Sequence, residues 1–273
     1  MLKTRILTAL VALPLAFLLV FAASPDTFGL VLALLLMIGC WEFRKLGGMQ
    51  RGPAGWLLLV LQAVLFFLLF RYRHELALHA IALLTAACLL WLLMLLRLVV
   101  FRPGGPADFQ FRIVTLASAL TALSFAWLSL YGLRSGADGS WWLLLLFLII
   151  WSADTGAYFI GSRWGKRKLA PAISPSKTIA GLVGGLLTAV LVCVAAASLI
   201  QAIEAGSLQL AVLALVTALV SVGGDLFISL HKRISGLKDS GALLPGHGGV
   251  LDRLDSLLAG APFFALGKLV LGL

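Results

Sequence analysis

Charged residues are scarce in this chain, and acidic residues are the scarcest, with Asp and Glu together numbering 11 of 273. Charged residues of both signs make up 12%, hydrophobic residues make up 62%, and the mean hydropathy is +1.08. Soluble domains contain about 45–50% apolar residues, so this composition excludes an ordinary soluble protein. Because each membrane span takes about 20 residues, the length leaves little room for a separate soluble domain.

Cysteine is also sparse, and one common nucleotide-binding pattern is absent. Cys40, Cys88 and Cys193 stand singly in apolar runs, with no C-x-x-C spacing, which indicates small core residues and excludes a disulfide framework. The sequence contains no Walker A pattern G-x-x-x-x-G-K-[ST], so a P-loop enzyme is excluded as well.

Long apolar runs predict an all-α polytopic membrane protein with about nine transmembrane helices. Residues 1–132 hold about five of them, and residues 133–273 hold about four together with two polar loops, residues 161–178 and 230–253. The predicted spans are 5–23, 28–46, 55–70, 78–100, 112–132, 141–161, 179–203, 208–229 and 251–272.

The distribution of basic residues predicts the orientation in the membrane. If the N-terminus is cytoplasmic, 17 of the 21 Lys and Arg residues fall on the cytoplasmic side, as the positive-inside rule requires. The net charge of +10 is then explained by orientation, and a nucleic-acid partner is unnecessary.

Several carboxylates lie at depths where they are costly. Asp154 and Asp225 interrupt apolar runs, and an acidic side chain in mid-helix costs about 2.5–3.5 kcal/mol on insertion scales. Spans six and eight run toward the cytoplasm, and span nine begins there with Asp252 and Asp255, which share one helical face. Four carboxylates at one level repel each other unless cations enter, and carboxylate oxygens suit Mg²⁺.

A structural role is the alternative for each aspartate taken singly. An intramembrane Asp often pairs with a basic residue, and Lys232, Arg233 and Arg253 are candidates. The common level of the four carboxylates favours a site.

The loop of residues 161–178 ends in "SPSKT", just before span seven. The hydroxyls of Ser174, Ser176 and Thr178 suit a helix N-terminus, which attracts anions, and Lys177 adds a full charge. The alternative is a plain helix cap with lysines that only orient the protein.

The second polar loop combines cations with glycines. Lys232, Arg233 and Lys238 supply charge, and "PGHGG" at residues 245–249 allows the backbone to approach a ligand closely. His247 could orient a phosphate or carry a proton, or it could simply face solvent in a turn.

Carboxylates beside cations suit phosphoryl or nucleotidyl transfer, because a metal neutralises the charge on the phosphate oxygens. The position at the membrane face predicts one substrate from the cytosol and one from the bilayer. A cation- or proton-coupled transporter is the competing hypothesis. It predicts repeated halves with helices broken at the midplane.

Residues 229–255, "SLHKRISGLKDSGALLPGHGGVLDRLD", resemble the signature of the phosphatidate cytidylyltransferase (CDP-diacylglycerol synthase) family. The resemblance extends to "GD" at 224–225, "ADTGAYFIG" at 153–161 and "GKRKLAPAISPSKT" at 165–178, and more weakly to "WEF" at 41–43. It therefore covers the C-terminal half well, and the N-terminal half only through hydropathy.

The resemblance implies that CTP and phosphatidate react to give CDP-diacylglycerol and pyrophosphate, in a multi-pass protein of the bacterial inner membrane. It implies dependence on Mg²⁺, and it leaves room for a second cation such as K⁺ and for a homodimer. The implied metal ligands are Asp225, Asp252 and Asp154; the implied catalytic residues are Asp255, Lys232, Arg233, Lys238, Asp239, His247 and Arg253; the implied substrate-binding residues are Ser174, Lys177, Thr178, Gly248 and Gly249.

Two departures from the family pattern are visible. Members commonly read "GDLxES", whereas Ile228 stands here in place of the glutamate, and Ile179 and Ala180 follow "SPSKT" where Trp and Glu or Gln are common. A divergent, less active paralogue is the reading that these departures leave open.

Overall fold

The computed structural model describes residues 2–50, 52–100, 109–243 and 248–273. Over these residues the chain forms ten helices and one antiparallel β-hairpin. The helices are α1 (Leu2–Phe21), α2 (Pro25–Leu46), α3 (Pro53–Arg71), α4 (Arg73–Ala77), α5 (Ala80–Val100), α6 (Phe109–Ser135), α7 (Gly139–Trp164), α8 (Ile179–Leu199), α9 (Ser207–Ile234) and α10 (Leu251–Val270); the strands are β1 (Lys168–Ala170) and β2 (Ser174–Thr178).

The chain is a helical, polytopic membrane protein, as the sequence predicts. Seven of the described helices are long and apolar enough to cross a membrane: α2, α3, α5, α6, α7, α8 and α9. The other two predicted spans correspond to α1, which includes the apolar helical segment Leu10–Phe21, and to α10. Nine spans and a cytoplasmic N-terminus stay predictions.

The all-α architecture contains one short β-hairpin. Helix α7 extends to Trp164 into the loop predicted at residues 161–178, and the rest of that loop contains the β1–β2 hairpin, in which Lys168 pairs with Thr178 and Ala170 with Ser174. Ile173, at the turn, packs on Leu226 and Leu230 of α9. This apolar contact fixes the hairpin against the helix that carries Asp225.

Helices α9 and α10 approach closely because a glycine lies where they cross. A side chain at Gly224 would place its Cβ 2.6 Å from the carbonyl oxygen of Asp255 and 2.7 Å from the Cβ of Ala259. Small residues allow such close packing between membrane helices. The contact brings the segments that carry Asp225 and Asp255 together.

Five helix ends converge at one end of the bundle. These are the C-terminal ends of α2, α7 and α9 and the N-terminal ends of α8 and α10. Hydrogen bonds and an ion pair join α2, α9 and α10, a second ion pair joins β2 to α9, and α7 and α8 pack closely where Gly161 meets Gly181. Helices α7, α8 and α9 run unbroken, unlike the broken helices that the transporter hypothesis predicts.

Candidate active site

The first element of the site is an ion pair between β2 and α9. The Lys177 ammonium lies 2.6 Å from Oδ2 of Asp225, and the Ser229 hydroxyl donates to Oδ1 of the same carboxylate at 3.2 Å. Both charged side chains are only partly exposed, Lys177 at 22% and Asp225 at 26%. The hairpin therefore carries a cation to an aspartate inside an apolar helix, which offsets much of the cost of placing it there.

The second element joins α9 to the start of α10. Lys232 donates to Oδ1 of Asp252 at 2.8 Å, while the backbone N–H groups of Ser240 and Gly249 donate to Oδ2 at 2.9 and 3.0 Å. With side-chain exposures of 11% for Lys232 and 7% for Asp252, this pair is nearly buried. The structural pairing that the sequence left open for Lys232 is thus present, and it lies within the predicted site.

Asp154 and Asp255 belong to the same electrostatic cluster. Asp154 lines the same cavity as Lys177, the partner of Asp225, and the backbone of Asp255 packs against Gly224, the neighbour of Asp225. The Ser256 N–H donates to Asp255 at 2.7 Å. The structure thus brings the four predicted carboxylates to one end of the bundle, as the sequence predicts.

A cavity of about 450 Å³ opens beside this cluster, between α7, the hairpin and α8. Its polar lining includes Asp154, Lys168, Ser176, Lys177 and Thr178. Thr178 caps α8 by accepting a hydrogen bond from the Gly181 N–H at 3.1 Å, as predicted for a helix N-terminus. The cavity therefore combines two lysines, hydroxyls and a helix N-terminus, which together suit an anionic group.

The remaining predicted residues are less uniformly placed. Arg233 is exposed and donates to the Ile173 carbonyl at 3.1 Å, holding the hairpin turn. Lys238, Asp239 and Arg253 are exposed, and Ser174 is partly buried in β2. His247 lies outside the described residues.

The two glycines of the second loop are closely packed. Gly248 has a φ of +84°, which other residues rarely adopt, and a Cβ there would lie 2.8 Å from Asp252 Oδ2. A Cβ on Gly249 would overlap the Ser240 hydroxyl and the Glu42 carboxylate. Glycine is needed at both positions for the loop to close around Asp252.

Glu42, in α2, is a site residue that the sequence reasoning missed. The residue is 2% exposed, and its carboxylate accepts hydrogen bonds from Ser240, Val250 and Leu251. The signal available was the "WEF" segment, which resembled the family only weakly. An acidic residue near the basic end of an apolar helix gives no indication of its distant partners.

The described residues fit Mg²⁺ in donor type, although they do not form a closed cage. Within the described ranges, no group of three or more His, Cys, Asp and Glu residues is arranged to hold a metal ion. Mg²⁺, however, usually binds one or two carboxylates and completes its shell with water and substrate phosphates. The carboxylates of the cluster can supply one or two such ligands. In the structure, Asp225 contacts Lys177 and Asp252 contacts Lys232.

Ile228 replaces the family glutamate and lies fully buried in the apolar core. Ile228→Glu should therefore lower the thermal midpoint in detergent markedly, because an unpaired buried charge costs several kcal/mol. Ile228→Leu, which keeps the apolar character, should melt close to the wild type. An unchanged midpoint for Ile228→Glu, together with a new cation dependence, would contradict this and indicate that the position faces the site.

A larger cavity, of about 670 Å³, lies at the opposite end of the bundle. It is walled mainly by apolar residues of α5, α6 and α10, and it contains the ion pair between Arg73 and Asp26, at 2.8 Å. It shares no lining residue with the carboxylate cluster.

Fold and site together define a polytopic membrane protein that gathers carboxylates and cations at one end of its helix bundle, an arrangement suited to chemistry on phosphates. The family model described as "Cytidylyltransferase family" matches residues 3–270. The chain belongs to this family.

Two relatives match along almost the whole chain. A phosphatidate cytidylyltransferase from Haemophilus influenzae is 34% identical over 288 residues, covering 97% of this chain and 98% of that protein. One from Pseudomonas aeruginosa is 40% identical over 265 residues, covering 97% of this chain and 96% of that protein. The similarity therefore includes the N-terminal half, where the sequence alone showed a resemblance only in hydropathy.

Proposed function

We propose that this protein transfers the cytidylyl group of CTP to phosphatidate, giving CDP-diacylglycerol and pyrophosphate. The observation that carries the proposal is a pair of Lys–Asp contacts at one end of the bundle. Lys177 of the hairpin contacts Asp225 of α9, and Lys232 of α9 contacts Asp252 of α10. Family membership and the names of the relatives support the same reaction.

The reaction balances without an additional reactant. An oxygen of the phosphatidate phosphate attacks the α-phosphorus of CTP, a new P–O bond forms, and the bond from the α-phosphorus to the bridging oxygen breaks. Pyrophosphate leaves with that oxygen. A phosphate monoester has a second pKa near 6, so the attacking oxygen is already largely deprotonated at neutral pH and needs no strong base.

The two lysines are suited to bind phosphate oxygens of the substrates. In the structure their ammonium groups contact carboxylates, and an arriving phosphate offers oxygens of the same kind with more negative charge. Lys177 and Thr178 line the cavity of about 450 Å³, where an anionic group fits beside the N-terminus of α8. Arg233, Lys238 and Arg253, exposed around this end, add positive charge along the approach.

The carboxylates are suited to hold Mg²⁺ as the phosphates enter. Asp225, Asp252 and Asp154 are the expected ligands, and Asp255 lies beside them, with its backbone packed against Gly224, the neighbour of Asp225. Bound there, Mg²⁺ would neutralise charge that develops on the phosphate oxygens. We place this end at the cytoplasmic face of a bacterial inner membrane, where CTP arrives from the cytosol and phosphatidate from the bilayer.

The test is an assay of the purified protein in detergent with radiolabelled CTP and phosphatidate. We expect label in the lipid fraction and release of pyrophosphate, both dependent on phosphatidate and abolished when EDTA removes Mg²⁺. Label that stays in the aqueous fraction under all these conditions would refute the proposal. Cation-driven uptake by vesicles containing the protein, without lipid product, would instead favour the transporter.

A further inference from the structure

Glu42 holds the beginning of α10 from a distant part of the sequence. Its Oε1 accepts from the Val250 N–H at 3.0 Å, and its Oε2 accepts from the Leu251 N–H at 2.8 Å. N–H groups at the start of a helix have no partner within the helix, and the helix dipole there favours a negative charge. The carboxylate thus satisfies two donors at the N-terminus of α10.

The same carboxylate also fixes the polar loop that precedes α10. The Ser240 hydroxyl donates to Oε2 at 2.8 Å, so three donors converge on Glu42. A Cβ on Gly241 or on Gly249 would overlap the carboxyl group. The loop is therefore packed around Glu42 as well as bonded to it.

Two of the residues that contact Glu42 also contact Asp252. Ser240 donates its hydroxyl to Glu42 and its backbone N–H to Asp252. Gly249 packs against Glu42 and donates its N–H to Asp252. Because Asp252 in turn accepts from Lys232 at 2.8 Å, the position of Lys232 depends on Glu42 through a continuous set of contacts.

We propose that Glu42 is a positioning residue that sets the geometry of Asp252 and Lys232 for the reaction; this inference rests on the proposed function. At this position a carboxylate can accept hydrogen bonds at both Oε1 and Oε2. A glutamine of the same shape would turn an NH₂ group toward donors, so at least one of the three contacts would be lost.

The experiment compares Glu42→Gln with Gln62→Leu. Gln62 is fully buried in α3 and bonds to Ser124 at 3.1 Å, among residues outside the site, so its replacement is a matched loss of a buried polar contact. We expect Glu42→Gln to lower kcat/KM for CTP by about 10- to 100-fold, the usual effect of losing a residue that orients a ligand-binding group. Gln62→Leu should leave kcat/KM near the wild-type value.

A double-mutant comparison separates positioning from general stability. In a Lys232→Ala background, Glu42→Gln should cause little further loss, because residues that act through one another are not additive. An equal fold-loss in both backgrounds would overturn the inference, as would wild-type kcat/KM for Glu42→Gln. Ser240→Ala removes one contact of the same set and should lower kcat/KM in the same direction if Glu42→Gln does not fold.

A readout independent of activity distinguishes this inference from the proposed function. Amide hydrogen exchange across residues 238–256 should become faster in Glu42→Gln and stay unchanged in Gln62→Leu. Unchanged exchange in Glu42→Gln overturns the inference whatever the activity. If exchange is faster in Glu42→Gln but the wild type forms no lipid product, Glu42 does position the loop and the proposed reaction is refuted.

Discussion

Asp225→Asn should abolish turnover in a protein that stays folded. The substitution removes the negative charge at nearly constant volume, and the amide oxygen can still accept from Ser229, which bonds Asp225 in the native chain at 3.2 Å. The lost charge is one that we expect to hold Mg²⁺ and to orient Lys177. We expect kcat to fall on the order of 10³-fold, the upper range for removal of a preorganised electrostatic group.

The measurement is the radiolabelled CTP assay, run beside a thermal melt and size-exclusion chromatography of the same preparation. Glu204→Gln is the matched control, because it also removes one carboxylate, from an exposed loop away from the site. Activity of Asp225→Asn within a few-fold of Glu204→Gln would reject the role of Asp225. A loss of activity that accompanies an aggregated or low-melting protein would assign Asp225 to structure.

Lys232→Ala should mainly impair the handling of CTP. Lys232 is nearly buried and bonded to Asp252, so its removal deletes a cation from the site and leaves a carboxylate without its counter-ion. Both effects disfavour an incoming triphosphate. We expect kcat/KM for CTP to fall by about 10²-fold, with a smaller change in the dependence on phosphatidate.

Lys166→Ala serves as its control, since Lys166 is an exposed lysine in the loop before the hairpin. Initial rates over a CTP series at saturating phosphatidate give the comparison. A wild-type CTP profile for Lys232→Ala would remove Lys232 from the site. Lys232→Arg keeps the charge but changes its geometry, and partial activity there would indicate that charge accounts for part of the effect.

The depth of the carboxylates in the membrane could be predicted because it follows from patterns along the sequence alone. Long apolar runs set the span positions, and the basic residues set the expected direction of each span. These two signals were enough to predict that Asp154, Asp225, Asp252 and Asp255 share one end of the bundle. They needed no knowledge of which helices touch.

The partners within the site could not be predicted in the same way. Lys177 was interpreted as an anion ligand, and its contact with Asp225 depends on a hairpin that docks on α9 through Ile173. The strands of that hairpin are three and five residues long, and "SPSKT" has no alternating apolar pattern, so tertiary contact decides its conformation. Glu42 was missed for the same reason, since its three donors lie about 200 residues away.

The contacts of Glu42 also bear on how the chain can be divided. A fragment that begins near residue 133 would contain every lysine, arginine and aspartate of the two polar loops, yet α10 would begin without the acceptor that α2 provides. Supplying the missing helices as a separate polypeptide should restore that acceptor only if the two pieces reassemble in the bilayer. The amino-terminal helices therefore contribute more than a membrane anchor, because α2 supplies the carboxylate that caps α10 in the carboxy-terminal half.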